Sequence, residues 1–202
     1  MSAIEPMSPA AALRIVEEGP GVLPELDAIP IRFRVASILD VRLEDGGLDG
    51  IRLVETAVAE PYDKDYDVDA GGGPSSWAAR FDVSRWGVIG ACDGAARIGA
   101  LVIACATPGL DMLDGRADLA VIWDLRVLPD WRGRGVGTLL FRRAEDWMRA
   151  RGMRQLKVET QNVNVPACRF YARMGCTLGG LDRFAYPGLP DETQLLWYRT
   201  LA

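Results

Sequence analysis

Arg132-Gly133-Arg134-Gly135-Val136-Gly137 constrains this chain more than any other stretch, because it joins an apolar run at residues 119–128 to a helical apolar periodicity over residues 136–151. Strand, glycine-rich turn and helix start follow in that order. Three alternating glycines let backbone N–H groups crowd together without side chains between them, and a helix opening just behind aims its positive end at the same spot. An anion suits such a turn, diphosphate among the candidates, and Arg132 and Arg134 would add charge-assisted hydrogen bonds. For the turn alone, a tight bend with solvated arginines is an equal reading. Spacing narrows the anion. A Walker loop needs a lysine after its glycines, and none follows here; a dinucleotide fingerprint counted from Gly133 meets Gly135 and then Thr138 in place of a third glycine.

At 202 residues, 49% hydrophobic and 25% charged, the chain reads as one globular domain with a sizeable core. A net charge of −5 argues against a nucleic-acid partner and suits a cationic one. There is no histidine, which excludes Ser-His-Asp and Cys-His nucleophiles. Cys92, Cys105, Cys168 and Cys176 form no C-x-x-C pair and read as reduced, packed thiols, with no metal site expected. Residues 1–12 lack the basic-then-apolar order of a leader, and no apolar run approaches the roughly 20 residues of a membrane helix. A cytoplasmic protein is expected, with monomer and homodimer both open.

Taken in order, residues 1–30 carry five prolines around one short helix at residues 10–18, and are expected to be a loosely structured extension preceding a domain over 31–202. Residues 31–41 and 51–58 alternate around Glu44-Asp45-Gly46-Gly47 and read as a hairpin. Pro61-Tyr62-Asp63-Lys64-Asp65-Tyr66-Asp67-Val68-Asp69 reads as an acidic loop, either solvated or able to hold an ammonium through carboxylates and tyrosine faces. Residues 74–81 suit a short helix, and 86–92 with 97–106 a second hairpin. The central strand at 119–128 is apolar on both faces except for Asp124 and Arg126, and a carboxylate there must be paired or used. Beyond the glycine turn come a helix with apolar residues at Val136, Leu139, Leu140, Ala144 and Trp147, a strand at 155–160, a helix capped by Asn164, and two closing strands at 177–186 and 194–201.

This order, with Arg132-x-x-Gly135-x-Gly137 followed downstream by Asn164-x-x-Ala167-x-x-x-Tyr171, resembles the GNAT superfamily of N-acetyltransferases. The stretch Glu159-Thr160-Gln161-Asn162-Val163-Asn164, running on through Pro166 and Phe170-Tyr171, is similar to the streptothricin acetyltransferase branch, as is Pro61-Tyr62-x-Lys64-x-Tyr66. The resemblance implies an α+β fold: a mixed, mostly antiparallel central sheet of about seven strands flanked by helices. It also implies acetyl-CoA as cofactor, with its diphosphate on Arg132, Gly133, Arg134, Gly135, Val136, Gly137 and Thr138. Such enzymes carry an acidic residue just before the aspartate of the central strand, whereas here Trp123 precedes Asp124.

In such enzymes the acceptor amine attacks the thioester directly, so no protein nucleophile is needed. The amine must first lose a proton, and Asp124 is the first candidate base, with Glu159 or a water chain as substitutes. The resemblance assigns backbone N–H groups near Leu125, Arg126 and Val127 to the developing oxyanion and Tyr171 to protonation of the leaving thiolate. Asn164 is expected to orient the pantetheine arm or a water. Tyr62, Tyr66, Trp123, Asp124 and Glu159 are expected to face the acceptor, a small cationic amine of the streptothricin kind. A different amine, or a non-catalytic acyl-CoA-binding module, are the alternatives.

Overall fold

The computed structural model describes residues 13–69 and 71–201. Nine strands and four helices alternate along it: β1 (Arg14–Glu18), β2 (Phe33–Glu44), β3 (Gly50–Lys64), α1 (Tyr66–Asp69), α2 (Trp77–Arg80), β4 (Gly87–Asp93), β5 (Ala96–Ala104), β6 (Leu119–Val127), α3 (Val136–Ala150), β7 (Gln155–Gln161), α4 (Val165–Arg173), β8 (Thr177–Asp182) and β9 (Gln194–Thr200). Seven strands form one sheet in the order β1-β4-β5-β6-β7-β9-β8. Only the β6–β7 pair is parallel, because α3 carries the chain back across the sheet between them. The sheet is the mixed, mostly antiparallel one expected.

β4, β5 and β6 are buried almost throughout, so both sheet faces are covered. On one face Ile89, Leu101, Ile103 and Ile122 pack under Leu140, Phe141 and Trp147 of α3 and Tyr171 of α4. On the other, Val88, Val102 and Val121 pack against Leu23, Leu26, Trp77 and Trp86. The stripe expected on α3 shifts slightly: Leu139 is 41% exposed and Phe141 takes its place in the core.

Two expectations need correction. Residues 14–18 form an edge strand paired with β4, not part of a helix, and residues 20–28 coil in 3-10 turns that bury Leu23 and Leu26. The expected looseness of the first 30 residues therefore does not hold over β1 and these turns; residues 1–12 lie outside the described residues. The short motif Arg14-Ile15-Val16-Glu17-Glu18 fits either class locally, and pairing with β4 decides it. Similarly, Tyr62 and Lys64 belong to β3, which outruns the expected hairpin, and Tyr66 opens α1, so the acidic segment is no free loop. The β2–β3 hairpin is a separate sheet, docked where Leu39 N–H donates to Asn162 O at 2.9 Å and Asn162 Nδ2 donates to Leu39 O at 3.1 Å.

Candidate functional site

β6 and β7 pair only from Leu119↔Gln155 to Ile122↔Val158. Beyond that point β6 stays with β5 and β7 with β9, so the two strands part and leave an opening in the middle of the sheet. The cause is local. Between Val102↔Asp124 and Ile103↔Ile122 the β5–β6 register slips by one residue, making Trp123 a bulge that bends β6 away. Leu128 N–H donates to Ile98 O at 2.8 Å, toward β5; by the alternation of an antiparallel ladder, the N–H groups of Leu125 and Val127 point the other way, into the opening.

The glycine turn lies at the end of this strand. Gly133 and Gly135 have φ of 74° and 84°, left-handed values that a side chain would strain, and Gly135 caps α3 without any side-chain hydrogen bond. The first N–H groups of α3 are thus free to meet an anion. Gly137 presses on Phe170 of α4, where an added Cβ would lie 3.4 Å from the ring. Of the two arginines, Arg134 is exposed and lies over the Trp131 ring. Arg132 is spent differently: its Nε donates to Val127 O at 2.9 Å, its Nη1 to Arg32 O at 3.0 Å and its Nη2 to Pro30 O at 2.8 Å. It ties the approach to β2 onto the turn.

Arg126 is also spent within the protein. Its side chain is fully buried, with Nε to Asp124 Oδ1 and Nη2 to Asp124 Oδ2 both at 2.8 Å, two further bonds of 3.1 Å to Asp67, and Nη1 to Ile29 O at 3.0 Å. Burial raises the Asp124 carboxyl above the usual carboxylate range, against the opposing pull of the guanidinium, whose two bonds in fork geometry occupy both of its oxygens. A carboxylate so engaged is a poor proton acceptor. Trp123 points into an aromatic cluster with Phe81, Trp86 and Trp77 at ring-centroid distances of 5.2, 5.5 and 6.3 Å. It is packing, not a gap left by a missing acid.

Glu159 is the first β7 residue past the last β6 partner. It accepts from Tyr186 Oη at 2.5 Å and from Gln194 Nε2 at 2.8 Å, both neutral donors, and is half-buried. Asn164 caps α4 by accepting from Ala167 N at 3.2 Å. One face further along α4, Tyr171 is 5% exposed, packed on Phe170 and Phe141. Burial raises its hydroxyl pKa, and the nearby Asp124 carboxylate adds to the effect, so it stays protonated. Tyr66 turns inward beside Phe33, near Asn164, while Tyr62 is exposed on the hairpin. Tyr186, Gln194 and Glu192 escaped the sequence reading, and Lys64 and Asp67, though within the quoted acidic segment, were given no individual role. The scarcity of lysine, two in the chain, was a usable signal for Lys64; the others sit at no motif spacing.

Residues 54–176 match the acetyltransferase (GNAT) family. The chain is 34% identical to a streptothricin acetyltransferase of Escherichia coli, over 82% of this chain and 84% of that protein. It is 37% identical to streptothricin acetyltransferase A of Bacillus subtilis over 39% of this chain and 47% of that protein. A solved nourseothricin acetyltransferase superposes with a TM-score of 0.72 at 27% identity, covering 95% of this chain and 99% of its own. A Bacillus anthracis protein assigned as a streptothricin acetyltransferase, solved in complex with acetyl coenzyme A, superposes at 0.71 with 26% identity, covering 96% and 99%. The uncapped helix start, the glycine turn and the strand opening fit that cofactor, and the chain belongs to the acetyltransferase (GNAT) family, as an acetyl-CoA-dependent N-acetyltransferase.

Proposed function

We propose that the protein acetylates a primary amine of a small cationic acceptor of the streptothricin type. The observation that carries this reading is the opening between β6 and β7, with Glu159, a carboxylate bonded only by neutral donors, at its edge and a tyrosine, Tyr171, buried beside it. Val158 packs in the same core as Tyr171, and Glu159 alternates away from it, so the two groups approach the opening from opposite faces.

Bound acetyl-CoA would supply the acetyl group, the amine nitrogen forming the amide bond as the thioester C–S bond breaks. Its diphosphate is assigned to the N–H groups that open α3 and to Arg134, since Arg132 is held by three carbonyls. The N–H groups of Leu125 and Val127 are placed to hydrogen-bond the carbonyl oxygen, where negative charge grows during the reaction. Glu159 takes the amine proton, a role given to it over Asp124 because its two hydrogen bonds come from neutral groups rather than from a guanidinium. Tyr171 returns a proton to the departing sulfur. Four thiols, none in a disulfide, suit a reducing compartment, and we place the enzyme in the cytoplasm.

The test is release of free CoA thiol when protein, acetyl-CoA and streptothricin are mixed. Turnover with streptothricin above that with simple monoamines is expected. Silence across a panel of amines, with acetyl-CoA still bound, would sink the enzymatic reading and leave an acyl-CoA-binding module. Glu159→Gln keeps both hydrogen-bond partners but removes the proton acceptor, so kcat should fall about 100-fold, with the KM for acetyl-CoA little changed. An unaltered kcat would return the role to Asp124 or a water chain.

A further inference from the structure

Lys64 ends β3 as a buried cation. Its Nζ donates to Glu192 Oε1 at 2.7 Å and pairs with Asp69 Oδ2 at 3.0 Å, so one ammonium serves two carboxylates. Glu192 is 7% exposed, and its Oε2 has no hydrogen-bond partner among the described residues. The Tyr66 hydroxyl, close to Asn164 but not bonded to it in acceptable geometry, is likewise unpartnered. A buried carboxylate oxygen left without a donor is costly.

Glu192 lines a cleft of about 750 Å³ between the β2–β3 hairpin and the segment leading into β9, a volume suited to a small organic molecule. Asp40, Asp191 and the exposed ring of Tyr62 line it as well, and among the described residues of the lining Arg183 is the one cation. Asp40 already holds Arg42 at 3.2 Å, and Glu192 gives Lys64 only its Oε1, which leaves Glu192 Oε2 as the buried carboxylate oxygen of the lining without a donor among the described residues.

Resting on the amine-acetyltransferase reading above, we propose that Glu192 anchors a second ammonium of the acceptor, one that is held and not acetylated, and so selects diamines and polyamines over monoamines. A carboxylate in contact with an ammonium favours its protonated form, which cannot attack a thioester. Glu192 therefore suits a nitrogen that keeps its proton, while the reacting nitrogen gives its proton to Glu159. The Tyr66 ring lies beside the Lys64 ammonium, 5.8 Å from Nζ to its centroid.

The experiment compares 1,5-diaminopentane with pentylamine, which differ by one ammonium. Equilibrium binding to the CoA-loaded protein is followed by calorimetry, alongside steady-state acetylation. The wild type should bind the diamine at least ten-fold more tightly. Glu192→Gln should erase that preference, raising the diamine Kd and KM about ten-fold while leaving pentylamine and acetyl-CoA unchanged; Glu192→Asp, which keeps the charge, should recover part of it. Equal losses for both amines, or no loss for either, would overturn the proposal. If no amine is acetylated by the wild type, the proposed activity fails, yet the calorimetric preference still decides the anchor. If Glu192→Gln no longer binds acetyl-CoA, Glu192→Asp is read instead: a diamine preference undiminished by the shortened side chain counts against the anchor.

Discussion

Tyr171→Phe is expected to lower kcat by about 100- to 1000-fold while leaving the KM for acetyl-CoA within about two-fold of the wild type. The substitution removes one oxygen and nothing else from the packing. Phe170 and Phe141 still meet a six-membered ring, and the lost hydroxyl has no protein acceptor among the described residues, so stability should change by less than about 1 kcal/mol. Burial raises that hydroxyl's pKa and so favours the protonated form, which a proton donor to a leaving sulfur requires. Single-turnover kinetics with a fixed acceptor separate the chemical step from binding. A rate like the wild type's would reduce Tyr171 to a core aromatic.

The second large effect is on stability. Arg126 is 2% exposed and is the common partner of Asp124 and Asp67 and of the Ile29 carbonyl. Arg126→Met keeps the aliphatic bulk but strands one fully buried carboxylate and one partly buried one. Removing one side of a buried pair costs about 3–5 kcal/mol, most of it the penalty of the charge left behind. For a domain of this size that corresponds to a drop of roughly 10–15 °C in Tm. Arg126→Lys should fall between, since an ammonium restores charge but cannot fork to two carboxylates. Calorimetric unfolding checks both. A Tm within a few degrees of the wild type for Arg126→Met would mean that burial of Asp124 and Asp67 does not depend on this guanidinium.

Arg126 and Asp124 also show how far the residues could be read alone. The carboxylate in an apolar strand demanded a partner or a task, and both readings were visible; which one held depended on the bulge at Trp123. That extra residue puts Asp124 and Arg126 on the face where Leu26, Ile29 and Asp67 wait, and sends Trp123 to Trp77, Phe81 and Trp86. No local propensity announces a one-residue slip. Arg132 carries the same lesson: its place in the motif suggested a phosphate ligand, but the carbonyls of Pro30 and Arg32, a hundred residues earlier, take its guanidinium.

Short-range chemistry was legible where each residue answers to its own backbone. The glycine turn needs positive φ at Gly133 and Gly135, Asn164 caps the helix it precedes, and period-3.6 and period-2 patterns place α3, α4 and β4 to β9 within a residue or two, except that β8 ends at Asp182, four residues short of the expected strand. Those features specify the acetyltransferase fold and the turn to which its cofactor is assigned. Features set by long-range pairing were not legible. β1 is a strand because β4 offers it an edge, Glu159 is presented because β7 leaves β6 at Val158, and Lys64, Glu192 and Tyr66 meet across more than a hundred residues of chain. The physical reason is that a hydrogen bond or ion pair between distant segments leaves no periodic mark on either one, so only the folded sheet decides which charges in this protein are spent on each other and which remain for an amine.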